Sequence, residues 1–210
     1  MIPQIREQIL LTVALTLIVS AVAMADCGAE PSNLITNCGL DTDASGWSFA
    51  QGTCARTGSD GSSVVGSYEC DSASDGFGGQ RAVVDHTCIS TGVVGGSSYG
   101  YGFDAKLASG DGSSSAVNCT ISLSEFSDAA CSVPVGVAPV SSVVSLNTAA
   151  PTAFVQNPSA TLNSDMTTQS ISLRVTCAQS SPSSAYTVRL DDFFLGVGLM
   201  PVELQSFSVN

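Results

Sequence analysis

Few residues of this 210-residue chain could do chemistry, and they are badly placed for it. His86 is the single histidine. Its neighbour Asp85 would face the opposite side of any strand holding both, because successive strand side chains alternate. A Ser–His–Asp relay therefore has no partner in place, and no Gly-x-Ser-x-Gly elbow occurs. His86 reads instead as a residue of a sheet surface. Glycoside hydrolysis needs two carboxyl groups facing one another across a cleft. Glu30, Glu69, Glu125 and Glu203 share no motif, and the aspartates are spread mainly through turns. The Gly-rich stretches lack the strand-then-helix setting of a phosphate cradle. No catalytic residue emerges, so the chain reads as a protein that is not an enzyme.

The eight cysteines are Cys27, Cys38, Cys54, Cys70, Cys88, Cys119, Cys131 and Cys177. None forms a Cys-x-x-Cys pair, and with one histidine a zinc site is unsupported. An even number behind an export signal reads as disulfides. Proximity suggests Cys27–Cys38, Cys54–Cys70 and Cys119–Cys131, leaving Cys88–Cys177 to join distant strands.

The export signal is itself an expectation from pattern. Arg6 precedes the uncharged run Ile9–Ala25, 17 residues that close on Ala23-Met24-Ala25. A basic start, an apolar middle and small residues at the end describe a cleaved secretory signal. A retained membrane anchor is the rival reading, but a spanning helix wants about 20 apolar residues. Residues 1–25 are thus expected to form a signal helix that is removed. That leaves 26–198 as one domain and 199–210 as a C-terminal tail or edge strand, in a secreted or cell-surface protein. Without Arg6 and Glu7, the six basic and 18 acidic residues become five and 17. A formal net charge of −12 argues against nucleic acid or an anionic membrane as partner of the mature form.

Ser, Thr, Gly and Val dominate the mature part, and no apolar stripe of helical period follows the signal. Short β-type runs separated by turn clusters recur instead. In "SISLRVTC" Ile171, Leu173, Val175 and Cys177 share one face, opposite Ser172, Arg174 and Thr176. Tyr99, Tyr101 and Phe103 alternate with glycines in the same way. Such period-2 runs without helical crossovers predict an all-β, antiparallel two-sheet β-sandwich of jelly-roll type.

Two terminal segments carry a family resemblance. "NLITNCGLDTDASGW", Asn33 to Trp47, and "AYTVRLDDFFL", Ala185 to Leu195, resemble the opening and closing strands of galactose-binding-like jelly rolls. The likeness is to carbohydrate-binding modules of the CenC type (families 4, 9 and 22). Those modules open on Asn-Leu-(Ile/Val)-x-Asn-Gly-x-Phe-Glu before a Gly-Trp, and close on Asp-Asp flanked by apolar residues. Between them, "GGQRAVVDHTCIS" and "GSSYGYGFDAKLAS" are similar to the family's central strand pair. The pattern departs at Cys38-Gly39-Leu40-Asp41, where the family's Glu is shortened to Asp.

The resemblance implies a secreted, non-catalytic domain that binds a polysaccharide or glycan and holds a structural calcium. Its metal ligands would come from Asp41 and Asp43 of the opening segment and Asp191 or Asp192 of the closing strand. Adjacent strand residues diverge, so only one of the last two would face a given site. Sugar-binding modules also stack aromatic faces on pyranose rings. Trp47 sits where the family has a core residue, so the candidate ligand-binding residues are Tyr68, Phe77, Tyr99 and Tyr101. The alternative is an extracellular structural or adhesive protein that self-associates through its sandwich or its C-terminal tail, where Leu204, Phe207 and Val209 suit an edge strand.

Overall fold

The computed structural model describes residue 27 and residues 32–62, 64–77, 79–110, 116–146, 153–157, 160–179 and 184–197. The expected signal, 1–25, and the tail, 199–210, lie outside the described residues. Twelve strands are formed: β1 (Trp47–Gln51), β2 (Thr53–Thr57), β3 (Ser67–Asp71), β4 (Ala73–Ser74), β5 (Gln80–His86), β6 (Ser98–Gly110), β7 (Val117–Phe126), β8 (Val140–Leu146), β9 (Val155–Gln156), β10 (Ala160–Asn163), β11 (Ser170–Gln179) and β12 (Tyr186–Val197). They make the antiparallel sandwich that the period-2 runs predict. The first sheet runs β1-β5-β11-β7-β8, with β4 also on β5. The second runs β10-β6-β12-β3-β2, with β9 also on β6.

The inward residues are those the alternation selects. From β11, Ile171, Leu173, Val175 and Cys177 are buried while Arg174 is exposed. β7 adds Cys119, Ile121 and Leu123 to the same layer. Facing them from β6 are Tyr99, Tyr101, Phe103, Ala105 and Leu107. At one end Trp47 packs on Phe193 at 4.2 Å between ring centroids, and Phe193 stacks on Phe103 at 5.8 Å. Trp47 donates its indole N–H to Asn37 O at 3.0 Å, so the one polar atom of the ring is satisfied. His86 is buried edge-on to Trp47 and is not the sheet-surface residue expected of it. Its position at the end of β5, inward by parity with Val84 and Ala82, explains the difference.

Opening and closing segments are stitched together by one side chain. Asn33 donates to Phe193 O at 2.9 Å and to Cys27 O at 3.2 Å, and its Oδ1 accepts from Ile35 and Leu195 N–H groups, each at 3.1 Å. Leu34 N–H donates to Leu195 O at 2.7 Å alongside it. The approach is so close that a Cβ on Gly196 would stand 2.4 Å from Ser32 O, which only glycine permits.

All eight cysteines are paired, as expected, but in a different pattern. Cys27–Cys38 and Cys54–Cys70 hold; the other two bridges are Cys88–Cys131 and Cys119–Cys177. Proximity in sequence misassigns these because Cys119 and Cys177 are register partners on adjacent strands, both facing the core. Cys131 lies beyond β7 in a loop that returns to the residues after β5. Non-reducing peptide mapping of the oxidised protein is predicted to recover Cys88 linked to Cys131 and Cys119 linked to Cys177. A Cys119–Cys131 peptide would contradict this fold.

Candidate functional site

The two outer faces of the sandwich differ. The second sheet's face is covered near its middle by a strap formed by the β2–β3 loop. Asp60 from the strap accepts from Lys106 at 2.6 Å and from Arg189, which also pairs with Glu69 at 2.6 Å. The hydrogen bond from Lys106, helped by that from Arg189 and opposed by burial, holds the Asp60 carboxyl below the usual range. Ser62 from the same strap donates its N–H to Asp191 Oδ2 at 2.5 Å and its hydroxyl to Asp104.

The first sheet's outer face is open and polar. Across its strands Ser48, Asp85, Arg174, Ser122 and Ser141 are successive register partners, with Ser172 beside Ser124 in a parallel row. Strands lie about 4.8 Å apart, so each row is a ladder of hydroxyl, carboxylate and guanidinium groups at that interval. The centre of this face is a cleft of about 460 Å³ lined by Asp85, His86, Ser122, Ser124, Pro139, Ser172, Leu173 and Arg174. Pro139 comes from the loop between β7 and β8. That loop is fixed by the Cys88–Cys131 bridge, by Val135 N–H to Glu125 O at 3.1 Å and by Asp128. Asp128 accepts from the Ser132 and Val133 N–H groups at 2.9 and 3.0 Å, and these bonds with the Ser132 hydroxyl hold its carboxyl down at about 2.

Neither titratable group of the cleft is placed for proton transfer. Asp85 is engaged by Arg174 through two hydrogen bonds at 2.7 and 2.9 Å. Both ring nitrogens of His86 face backbone carbonyls, Thr87 O at 2.7 Å and Thr36 O at 3.3 Å. Burial pushes its imidazole below the ordinary histidine range, against the effect of those two bonds.

The aromatic candidates separate sharply. Tyr68, Tyr99 and Tyr101 are 3%, 0% and 1% exposed, so they are core residues and cannot stack on a sugar. Tyr99 and Tyr101 share the inward face of β6 with Phe103, and Tyr68 is buried from β3. Phe77 is 93% exposed on the loop before β5, held there by Asp75, which accepts from the Phe77 and Gly79 N–H groups at 2.8 and 2.9 Å. The cleft lies around Asp85 and His86, at the end of β5 away from that loop, and Phe77 is not among its lining residues. The cleft-lining side chains that sequence reasoning missed are Ser122, Ser124, Ser172 and Arg174. They carried a signal in the clean alternation of β7 and β11, but outward polar residues look alike whether they line a cleft or only meet water.

The acidic candidates fall into two groups. Asp43 is exposed and serves its own turn, accepting from Ser45 N–H at 2.8 Å and Asn37 Nδ2 at 3.0 Å. The Ser45 bonds lower its carboxyl. Asp191 is 1% exposed, and its carboxyl is pushed up to about 8, by burial first and then by the negative charges of Asp192 and Asp41. It makes no ion pair among the described residues. β12 carries one extra residue here, since Asp191 faces Asp104 but Phe194 faces Gly102, and Asp192 takes up the slack at φ 44°. Oxygen donors beside a buried carboxylate suit a hard cation such as calcium. Among the described residues, however, no three His, Cys, Asp or Glu side chains group closely enough to hold a metal ion by themselves. Any cation at Asp191 would draw most of its oxygens from the backbone.

With chelator present, stability contributed by Asp191 should follow its raised carboxyl. It is full below the unfolded value near 4 and is lost as the pH rises through about 8. Asp191→Asn removes that loss. Urea melts should show the variant gaining on the wild type from pH 5 to pH 9. A constant difference over that range would contradict the assignment.

No protein-family model matches the chain, and no curated protein matches it in sequence. Solved structures do match in fold. A family 61 carbohydrate-binding module in complex with β-1,4-galactotriose superposes with a TM-score of 0.55 at 14% identity, covering 79% of this chain and 99% of that one. A xylan-binding domain of family 22 gives 0.55 at 9% identity, with 80% and 96% covered. A Clostridium thermocellum xylanase structure holding a family 22 module and its catalytic module, complexed with xylohexaose, gives 0.55 at 12%, but the match spans only 29% of that chain. The likeness is one of fold: the chain shares its jelly-roll β-sandwich with these modules, and some of its structural neighbours are pieces of enzymes.

Proposed function

We propose that this chain is a secreted, non-catalytic glycan-binding domain whose binding surface is the cleft on the open face of the first sheet. The observation that carries the reading is the asymmetry of the two faces. One is closed by its strap and charge network, whereas the other presents a concave row of hydroxyls around a single ion pair. Hydroxyls that both donate and accept match the hydroxyls of a sugar. The jelly-roll neighbours, solved with galactotriose and xylohexaose, support the same class of ligand. Four disulfides support export to an oxidising compartment.

Among the described residues no aromatic side chain lines the cleft, so binding rests on hydrogen bonds, each contributing about 1 kcal/mol net. The expected affinity is correspondingly modest. On a glycan array, the oxidised protein is predicted to retain a defined set of polysaccharides. The Ser122→Ala/Ser124→Ala double variant should lose about 30-fold in affinity, and Phe77→Ala should bind as the wild type does. Loss on Phe77→Ala with the serine variant unaffected would move the site to the β4–β5 loop. A folded protein that binds nothing would contradict the reading.

The second part of the proposal is a structural calcium at Asp191, supported by its burial without a basic partner among the described residues and by the neighbouring Asp41 and Asp192 charges. Asp191 and backbone carbonyls would hold it, neutralising a charge that is otherwise costly to bury. Chelator should then lower the melting temperature by several degrees, and Asp191→Ala should remove that response. An unchanged melting temperature would rule the ion out.

A further inference from the structure

Arg174, the one cation among the cleft's described lining residues, is held by a bidentate contact. Arg174 donates from Nε to Asp85 Oδ1 at 2.7 Å and from Nη2 to Oδ2 at 2.9 Å, a side-on fork. A guanidinium carries five N–H groups, so three remain for a ligand, two of them on Nη1. The Arg174 side chain is 57% exposed and that of Asp85 28%, so both halves of the pair reach solvent. The remaining lining residues are three serines, Pro139, Leu173 and the buried His86, none of which adds a second fixed positive charge.

Resting on the glycan-binding reading above, we propose that the Arg174–Asp85 fork determines the specificity of the cleft, selecting neutral sugars by adjacent hydroxyls and rejecting uronate and sulfated glycans. Arg174 donates to one sugar hydroxyl while Asp85 accepts from its neighbour. Only a ligand that offers an acceptor and a donor side by side satisfies both. A sugar carboxylate or sulfate offers acceptors alone. It would meet a guanidinium already neutralised by Asp85, on a chain whose formal net charge is −12. The free Nη1–Nη2 edge would bring such an anion beside the Asp85 carboxylate, with no net positive charge on the pair to hold it. Asp85 is thus both a ligand contact and the positioning residue for Arg174.

The test is affinity electrophoresis of the full oxidised chain through matched polysaccharides, xylan against glucuronoxylan and galactan against sulfated galactan. The wild type should be retarded at least tenfold more by the neutral member of a pair. Arg174→Lys keeps the charge but loses the fork, and should lose most of that retardation. Asp85→Asn keeps the shape but unmasks the guanidinium charge, and should shift the neutral-to-acidic ratio at least fivefold toward the acidic member. A purely structural role for the pair would not move that ratio. Equal retardation by both members, or an unchanged ratio in Asp85→Asn, overturns the fork as selector while leaving glycan binding intact. No retardation of the folded wild type by any of the four overturns the glycan reading and this inference with it.

Discussion

The bulge at Asp192 is the constraint on which the rest of the molecule depends. One extra residue in β12 changes which way the closing strand faces over three positions. Ahead of it, Asp191 points out beneath Ser62 and Asp104. Behind it, Phe193 points in to stack on Phe103 and Trp47. The backbone N–H of Phe193 donates to Cys38 O at 3.1 Å, and its carbonyl receives Asn33. A left-handed residue in a strand costs backbone energy, which Asp tolerates better than a branched residue would. The cost is offset because the same turn of chain joins the core, the opening segment and the buried carboxylate.

From that junction follows the division of labour between the two faces. The strap over the second sheet is held by charge: Asp60 between Lys106 and Arg189, Ser62 between two carboxylates. These groups are occupied with one another. Among the described residues the first sheet has no such cover. Its Ser/Thr-rich strands leave a face whose single ion pair lies in a cleft walled by Pro139. The Cys88–Cys131 bridge holds that wall to the end of β5, so it frames the proposed binding surface as well as stabilising the chain.

Much of this was legible in the sequence, for definite reasons. Alternation in "SISLRVTC" assigned the inward face of β11 correctly, because burial on one side imposes a period of two. Trp47 as a core residue followed from the family resemblance, whereas the joining of Asn33 to the "RLDDFFL" strand appears only in the structure. What was not legible depends on register and parity between distant strands. The Cys119–Cys177 pair needed the β7–β11 register, and His86 needed the knowledge that its parity in β5, shared with Ala82 and Val84, faces the core. Tyr68, Tyr99 and Tyr101 were open to two readings because an aromatic face in a strand looks the same from either side. The cleft's serines were invisible as a site, since nothing local marks a concave surface.

The central claim is that ligand meets the protein on the open face of the first sheet. Amide chemical-shift mapping of the labelled protein, titrated with xylo- and galacto-oligosaccharides, tests it most directly. The account predicts shifts concentrated at Ser122, Ser124, Ser172 and Arg174, with the strap residues Asp60 and Ser62 unmoved. Shifts centred on Phe77 or on the strap, or none at all at saturating sugar, would contradict it.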